Sequence, residues 1–265
     1  MKIASTDIQS QSDVLDPRRA AALLAALDRD EELNVGDTLP PFFHHIYFWD
    51  AQPPGALGRD GHPKVGGLIP DLGLPRRMWA GGHLEFNNPI RLGQSAEKRS
   101  ICERIEEKTG RSGLLGFVTL RLEYWQDGHL CLSEWQDLVY REDPAEGGDK
   151  PMPPIARTDA LERHELRFDT TTLFRYSALT FNGHRIHYDG DYARSVEGYN
   201  GIVVHGPLLA QILMLMATDM TGPLTTFQFR ATAPLIVGET AQFCRSGSEL
   251  WVRGPNDRLC MTATI

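Results

Sequence analysis

The 265-residue chain has no apolar run approaching the roughly 20 residues that a membrane-spanning helix needs. Its longest, residues 207–217, is too short, and residues 1–16 are polar, without the apolar stretch of a secretory signal. Cysteine is scarce. Cys102, Cys131, Cys244 and Cys260 are widely spaced and form no Cys-x-x-Cys pair, which excludes the common zinc motifs. Three of them fall in strand-like segments, where a free thiol behaves as a small buried hydrophobe, so a reduced, cytoplasmic protein is expected. Positive charge is also short: 27 Lys and Arg face 35 Asp and Glu, a net charge of −8. That balance excludes the basic footprint of a nucleic-acid binder but permits a local cluster that holds an anion. No nucleic-acid or membrane partner is expected. Hydrophobic residues at 41% and charged residues at 23% exclude disorder.

What is present reads as two similar halves. Asp16 before Pro17 starts a helix to about residue 27, an acceptor at the cap followed by proline in the first turn. Residues 39–77 are crowded with Pro and Gly and lack periodicity, as a covering segment would. Strands are expected at 83–87, 100–107, 114–125 and 130–140, the last two joined by the turn signal Asp127-Gly128. Residues 141–159 are rich in Pro and Gly. The expected division is 1–145 for the first domain, 146–160 for a linker and 161–265 for the second. In the second half the expectation is a strand at 164–168, a helix at 172–179 and a polar loop. A helix at 208–216 follows, apolar nearly all round and therefore buried, and then strands at 225–233, 239–245, 249–253 and 259–265. Pro89-Ile90-Arg91-Leu92-Gly93 is echoed 145 residues later by Pro234-Leu235-Ile236-Val237-Gly238, each after a strand ending in Phe86 or Phe229.

The most informative stretch runs Tyr176-Ser177-Ala178-Leu179-Thr180-Phe181-Asn182-Gly183-His184-Arg185-Ile186-His187-Tyr188-Asp189, with Val204-His205-Gly206-Pro207 opening the buried helix. On these residues the chain resembles the MaoC-like, (R)-specific enoyl-CoA hydratases. Its nearest look is to the branch of itaconyl-CoA and mesaconyl-CoA hydratases and hydroxyacyl-thioester dehydratases. That family carries an Asp-x-Asn-Pro-x-His loop, an Asp two residues later and a His-Gly pair before a central helix. Met78-Trp79-Ala80-Gly81-Gly82 and Tyr140-Arg141-Glu142 extend the resemblance to the first half. It implies an α+β double hotdog, two fused domains whose antiparallel sheet wraps a central helix, and syn addition of water to an acyl thioester. It departs at one point: Asn182 stands where the family has Asp, and His184 and Arg185 replace its Asn and Pro.

Residue chemistry points the same way. Hydration of an enoyl thioester needs a base for water, an acid for the α-carbon and donors for the enolate oxygen. Histidine titrates near working pH, so His187 is the expected proton-transfer group. An amide cannot exchange a proton but can hold water, which is the role expected of Asn182. The Gly206 N–H at a helix N-terminus would aim positive charge at the thioester oxygen, although Gly206 could instead serve only backbone freedom. Asp189 either fixes the His187 tautomer or caps the next turn. His205 either holds the loop or merely precedes the helix. Tyr176, His184, Asp189 and His205 are expected to line the substrate site, and Arg185 to clamp a substrate carboxylate bidentately. Arg76, Arg77, Arg230 and Arg245 are candidates for coenzyme A phosphates. His184 and His187 lie three apart, but no third ligand stands out in the sequence, so no metal is expected.

The expected reaction is hydration or dehydration of a short branched dicarboxylic acyl-CoA, of the itaconyl-CoA, mesaconyl-CoA and citramalyl-CoA type, as in itaconate degradation. Coenzyme A enters only as part of the substrate, no other cofactor is expected, and pairing as a homodimer is compatible with the resemblance. The rival readings are a 3-hydroxyacyl-thioester dehydratase of fatty acid synthesis and a non-catalytic acyl-CoA-binding hotdog protein. A hotdog thioesterase would need a carboxylate on the buried helix, where residues 208–216 offer only Gln211 as a polar side chain.

Overall fold

The computed structural model describes residues 7–110, 113–143 and 152–265. Its framework is one antiparallel sheet. The strands are β1 (Ile8–Val14), β2 (Arg76–Phe86), β3 (Ser95–Gly110), β4 (Gly113–Gln126), β5 (His129–Arg141), β6 (Glu162–Arg167), β7 (Thr226–Ala231), β8 (Thr240–Ser246), β9 (Glu249–Arg253) and β10 (Leu259–Thr264). Their order is β1-β3-β4-β5-β2-β7-β10-β9-β8-β6. Read outward from the centre, the two five-strand halves follow the same path, with β2 and β7 meeting at the seam. The two Pro-x-x-x-Gly segments sit at equivalent places, each after its half's seam strand. Their terminal glycines share one left-handed conformation, φ 80° at Gly93 and 83° at Gly238. This is the double hotdog, an α+β fold.

The seam explains a pair of glycines. Gly81 lies opposite Arg230, and Gly82 opposite Phe229. A Cβ on Gly81 would stand 2.6 Å from the Phe229 carbonyl oxygen, and one on Gly82 would stand 2.8 Å from both the Phe229 ring and the Trp135 carbonyl oxygen. The strands can approach only because neither residue has a side chain.

Four helices complete the described fold: α1 (Pro17–Ala26), α2 (Thr170–Thr180), α3 (Gly190–Ser195) and α4 (Gly206–Thr221). α1 starts as its sequence dictates, with the Asp16 carboxylate accepting the Arg18 N–H at 2.9 Å. α4 is buried from Leu208 to Ala217 except at Ile212, and it threads a core continuous across both halves. In the first half, among the described residues, no helix of that length stands between β1 and β2. Fully buried Phe42, Phe43 and Ile46 fill that space instead. No described helix is long and apolar enough to cross a membrane.

The structure lengthens two strands and adds a third. β2 begins at Arg76 rather than residue 83, because its early residues pair with β5 despite their charge. β3 spans 95–110 rather than 100–107. β1 went unread because Ile8–Val14 is a polar edge strand, held by backbone pairing to β3 with only Ser95 to Ile101 as partners. Asp127 and Gly128 both have positive φ, 48° and 77°, the twist that a two-residue hairpin needs. Residues 146–151 of the expected linker lie outside the described residues. Within the remainder, Ile155 bridges to Arg258.

Candidate active site

The motif loop is shaped by its own backbone. α2 ends on Phe181, which adopts a left-handed conformation with φ 51° and reverses the chain. The Asn182 N–H then returns to the Ser177 carbonyl at 2.8 Å, and the Asn182 side-chain oxygen accepts the His184 N–H at 3.0 Å. A short 3-10 turn, Arg185–His187, buries His187. The Asp189 carboxylate caps α3 by accepting the Tyr192 N–H at 2.9 Å. Of the two roles open to Asp189, the structure shows capping.

The His187 tautomer has a different anchor. Its Nδ1 lies 2.8 Å from the Val203 carbonyl oxygen, which can only accept, so Nδ1 carries the proton and Nε2 is the basic nitrogen. Burial pulls its pKa down to about 4, against the opposing hydrogen bond to Val203. The ring stacks on His205 at 3.7 Å between centroids, nearly parallel at 20°. His205 is fully buried, 2.8 Å from the Ser177 hydroxyl through Nε2. Burial, with the neighbouring His187 and His184, holds it well below the usual histidine range. Its Nδ1 and the Tyr176 hydroxyl are buried without partners among the described residues. The Tyr176 ring meets His205 edge-on at 5.0 Å. Ser177 was not singled out in the sequence, because a serine inside a helical stretch carries no signal of its own.

α4 begins at Gly206, directly after His205. Its N–H is among the first of the helix and has no partner within it. A Cβ on Gly206 would meet nothing within 4 Å, so space lies open beside this N-terminus. An oxyanion could sit there, where helix dipole and N–H act together.

The covering segment supplies residues that the sequence did not reveal. Gly61 packs against Gly183: a Cβ at Gly61 would stand 2.0 Å from the Gly183 carbonyl oxygen. The Asp60 carbonyl accepts the Arg185 N–H at 2.8 Å. Trp49 donates its indole N–H to the Leu179 carbonyl at 3.1 Å and stacks on Phe181. These contacts place His62 beside His184, with ring centroids 4.4 Å apart, and His184 is itself edge-on to His187 at 5.4 Å. The Asp60 carboxylate accepts from His62 Nδ1 at 2.9 Å and from the His62 N–H at 3.1 Å. Burial lowers His62 and His184 alike. Burial alone would raise Asp60, but the bonds and charge of His62 outweigh it and hold the carboxyl low.

The sequence offers no third metal ligand for His184, yet the fold brings two candidates to it. Donor atoms of Asp60, His62 and His184 lie within 4.8 Å of one another, as do those of His44, His45 and Glu134 in the first half. Both groups could hold a divalent ion. In each, the carboxylate is already hydrogen-bonded to histidine.

Arg185 stands where the loop meets solvent. Its guanidinium bonds the Asp189 carboxylate at 2.6 and 3.1 Å and the Arg59 carbonyl at 3.2 Å, and lies over the Tyr192 ring at 4.1 Å. A substrate carboxylate would have to displace Asp189 to be clamped there. Of the other arginines noted in the sequence, Arg76 is buried and paired with Glu197, and Arg245 is paired with Glu162.

By its family and its relatives the chain is a hydro-lyase of the MaoC-like hotdog class, an enzyme that adds water to or removes it from thioester substrates. The chain belongs to the hydroxyacyl-thioester dehydratase type 2 family, whose pattern matches residues 42–237. It is 42% identical over 259 residues to a mesaconyl-C(4)-CoA hydratase of Chloroflexus aurantiacus, covering 93% of this chain and 90% of that one. Among solved structures, a MaoC-like dehydratase of Phytophthora capsici superposes with a TM-score of 0.71 at 12% identity, covering 98% of this chain and 94% of that one. A Mycobacterium tuberculosis protein described as having a double hotdog fold matches with a TM-score of 0.57 at 13% identity, covering 98% and 95%. At such identities these two likenesses concern the fold alone.

Proposed function

We propose that this enzyme hydrates a short branched enoyl-CoA carrying a second carboxylate, of the mesaconyl-CoA or itaconyl-CoA type, and catalyses the reverse dehydration. The observation that carries the chemistry is His187, held by Val203 with its basic Nε2 left over, one residue-stack away from the helix that starts at Gly206. The 42% identity to a mesaconyl-C(4)-CoA hydratase supports the substrate class.

The steps balance with this chain's own groups. Water, held by the Asn182 amide, gives a proton to His187 Nε2 as its oxygen bonds the β-carbon. The π electrons move towards the thioester, and the developing oxyanion is met by the Gly206 N–H. The His187 imidazolium then returns the proton to the α-carbon on the same face, giving syn addition. Its lowered pKa makes neutral His187 a modest base but its imidazolium a strong acid, which suits the second transfer. Coenzyme A enters as part of the substrate, and no other cofactor is needed for these steps.

The test is hydration of mesaconyl-C(4)-CoA, itaconyl-CoA and crotonyl-CoA, followed by mass spectrometry at a gain of one water. Turnover of the dicarboxylic members supports the reading. Preference for crotonyl-CoA and longer straight chains would instead favour a 3-hydroxyacyl-thioester dehydratase, the activity for which the family is named. Binding without turnover would leave a non-catalytic acyl-CoA-binding protein.

A further inference from the structure

Arg77 lies directly opposite Tyr140 in the pairing of β2 with β5. Opposed residues in an antiparallel pair project from the same face of the sheet with neighbouring Cβ atoms. Arg76, one residue earlier, is spent on a buried ion pair with Glu197 and a bond to the Glu197 carbonyl. Arg77 has no such outlet: it is half-buried and, among the described residues, makes no hydrogen bond or ion pair. The Tyr140 hydroxyl beside it is buried with no partner. Among the described residues, neither of these two facing groups has a hydrogen-bond acceptor.

That place adjoins the candidate active site. The charge of Arg77 acts on His62, His184 and Tyr140 alike. Asp60, whose charge also acts on His62, His184 and Tyr140, already accepts two hydrogen bonds from His62 and, among the described residues, forms no ion pair with Arg77. A guanidinium and a phenol at opposed positions on one face of the sheet, neither with an acceptor, suit a carboxylate, which takes a bidentate pair from arginine and a further bond from the hydroxyl.

We propose that Arg77 and Tyr140 form the subsite that binds the second carboxylate of the substrate, and so set the preference for dicarboxylic over simple enoyl thioesters. The inference rests on the hydratase reading above and moves the carboxylate contact from the motif loop to the central strands.

The test compares Arg77→Gln, Arg77→Lys and Tyr140→Phe with the natural chain, using mesaconyl-C(4)-CoA and crotonyl-CoA, which lacks the second carboxylate. The readouts are kcat/KM and, by calorimetry, Kd for both thioesters; circular dichroism confirms folding. In Arg77→Gln the mesaconyl-to-crotonyl ratio should fall roughly ten- to a hundredfold, as expected for loss of charged hydrogen bonds. Tyr140→Phe should lower it by about tenfold or less. Arg77→Lys should recover part of the ratio, since lysine keeps the charge but loses the fork. Equal losses for both thioesters would overturn the proposal and assign Arg77 to coenzyme A or to the fold. An unchanged ratio would overturn it as well. If the natural chain hydrates neither thioester, the chemistry proposed for His187 fails, while the Kd ratio still decides the role of Arg77.

Discussion

His187 Nδ1 and the Val203 carbonyl oxygen, 2.8 Å apart, join the motif loop to the chain just before the central helix. That bond fixes which imidazole nitrogen is basic. His187→Gln should therefore lower kcat for hydration by about 10²–10⁴-fold, the usual contribution of a positioned acid–base group. Steady-state kinetics on mesaconyl-C(4)-CoA would show it; near-normal turnover would remove His187 from the mechanism.

Burial of neutral His187 also makes stability depend on pH. Its folded pKa is about 4, below the unfolded value near 6.5. The unfolded chain therefore binds the proton first as pH falls. The contribution is fully present above pH 6.5 and is lost progressively down to about 4. Between pH 7.5 and 5 this one group should cost on the order of 2 kcal/mol. Urea midpoints at the two pH values should fall further for the natural chain than for His187→Gln.

Gly61→Ala should detach the covering segment from the motif loop. The added Cβ would collide with the Gly183 carbonyl, and φ at Gly61 is +90°, a conformation costly for alanine. A loss of about 1–3 kcal/mol is expected, with a marked fall in turnover. Limited proteolysis within residues 47–75 would report the release, and unchanged protection would show that the contact is dispensable.

Glu134 is a structural anchor of the first half. Fully buried, it accepts hydrogen bonds from His44, His45, Tyr124 and Gln136 at 2.8 to 3.1 Å. Glu134→Ala leaves these donors facing each other without an acceptor and should cost about 3–5 kcal/mol. Chemical denaturation measures it; a cost under about 1 kcal/mol would mean that water replaces the carboxylate.

Arg185→Ala removes the pair with Asp189 and the contact with Tyr192, both part-exposed. Stability should change little, because solvent screens the pair. Michaelis constants for mesaconyl-C(4)-CoA and crotonyl-CoA should shift together. A selective rise for the dicarboxylic thioester would return the carboxylate clamp to this residue.

The sequence by itself determined the local pieces. Asp16-Pro17 started a helix, Asp127-Gly128 turned a hairpin, and the apolar stretch from Leu208 onward became the buried helix, each through chemistry confined to neighbouring residues. The spacing of Asn182, His187 and Gly206 carried the family, because a loop motif is short-range in the chain. The polar edge strand Ile8–Val14 was illegible, since it is held by pairing with β3 and by the Asp13 bonds to Arg19 and Phe48, not by a buried apolar face. Tertiary structure alone brought Asp60 and His62 to His184 across more than a hundred residues, tied His187 to the Val203 carbonyl rather than to Asp189, and set Arg77 opposite Tyr140. These are long-range contacts, fixed by sheet register and by the docking of Gly61 on Gly183, and no local pattern in the sequence encodes them.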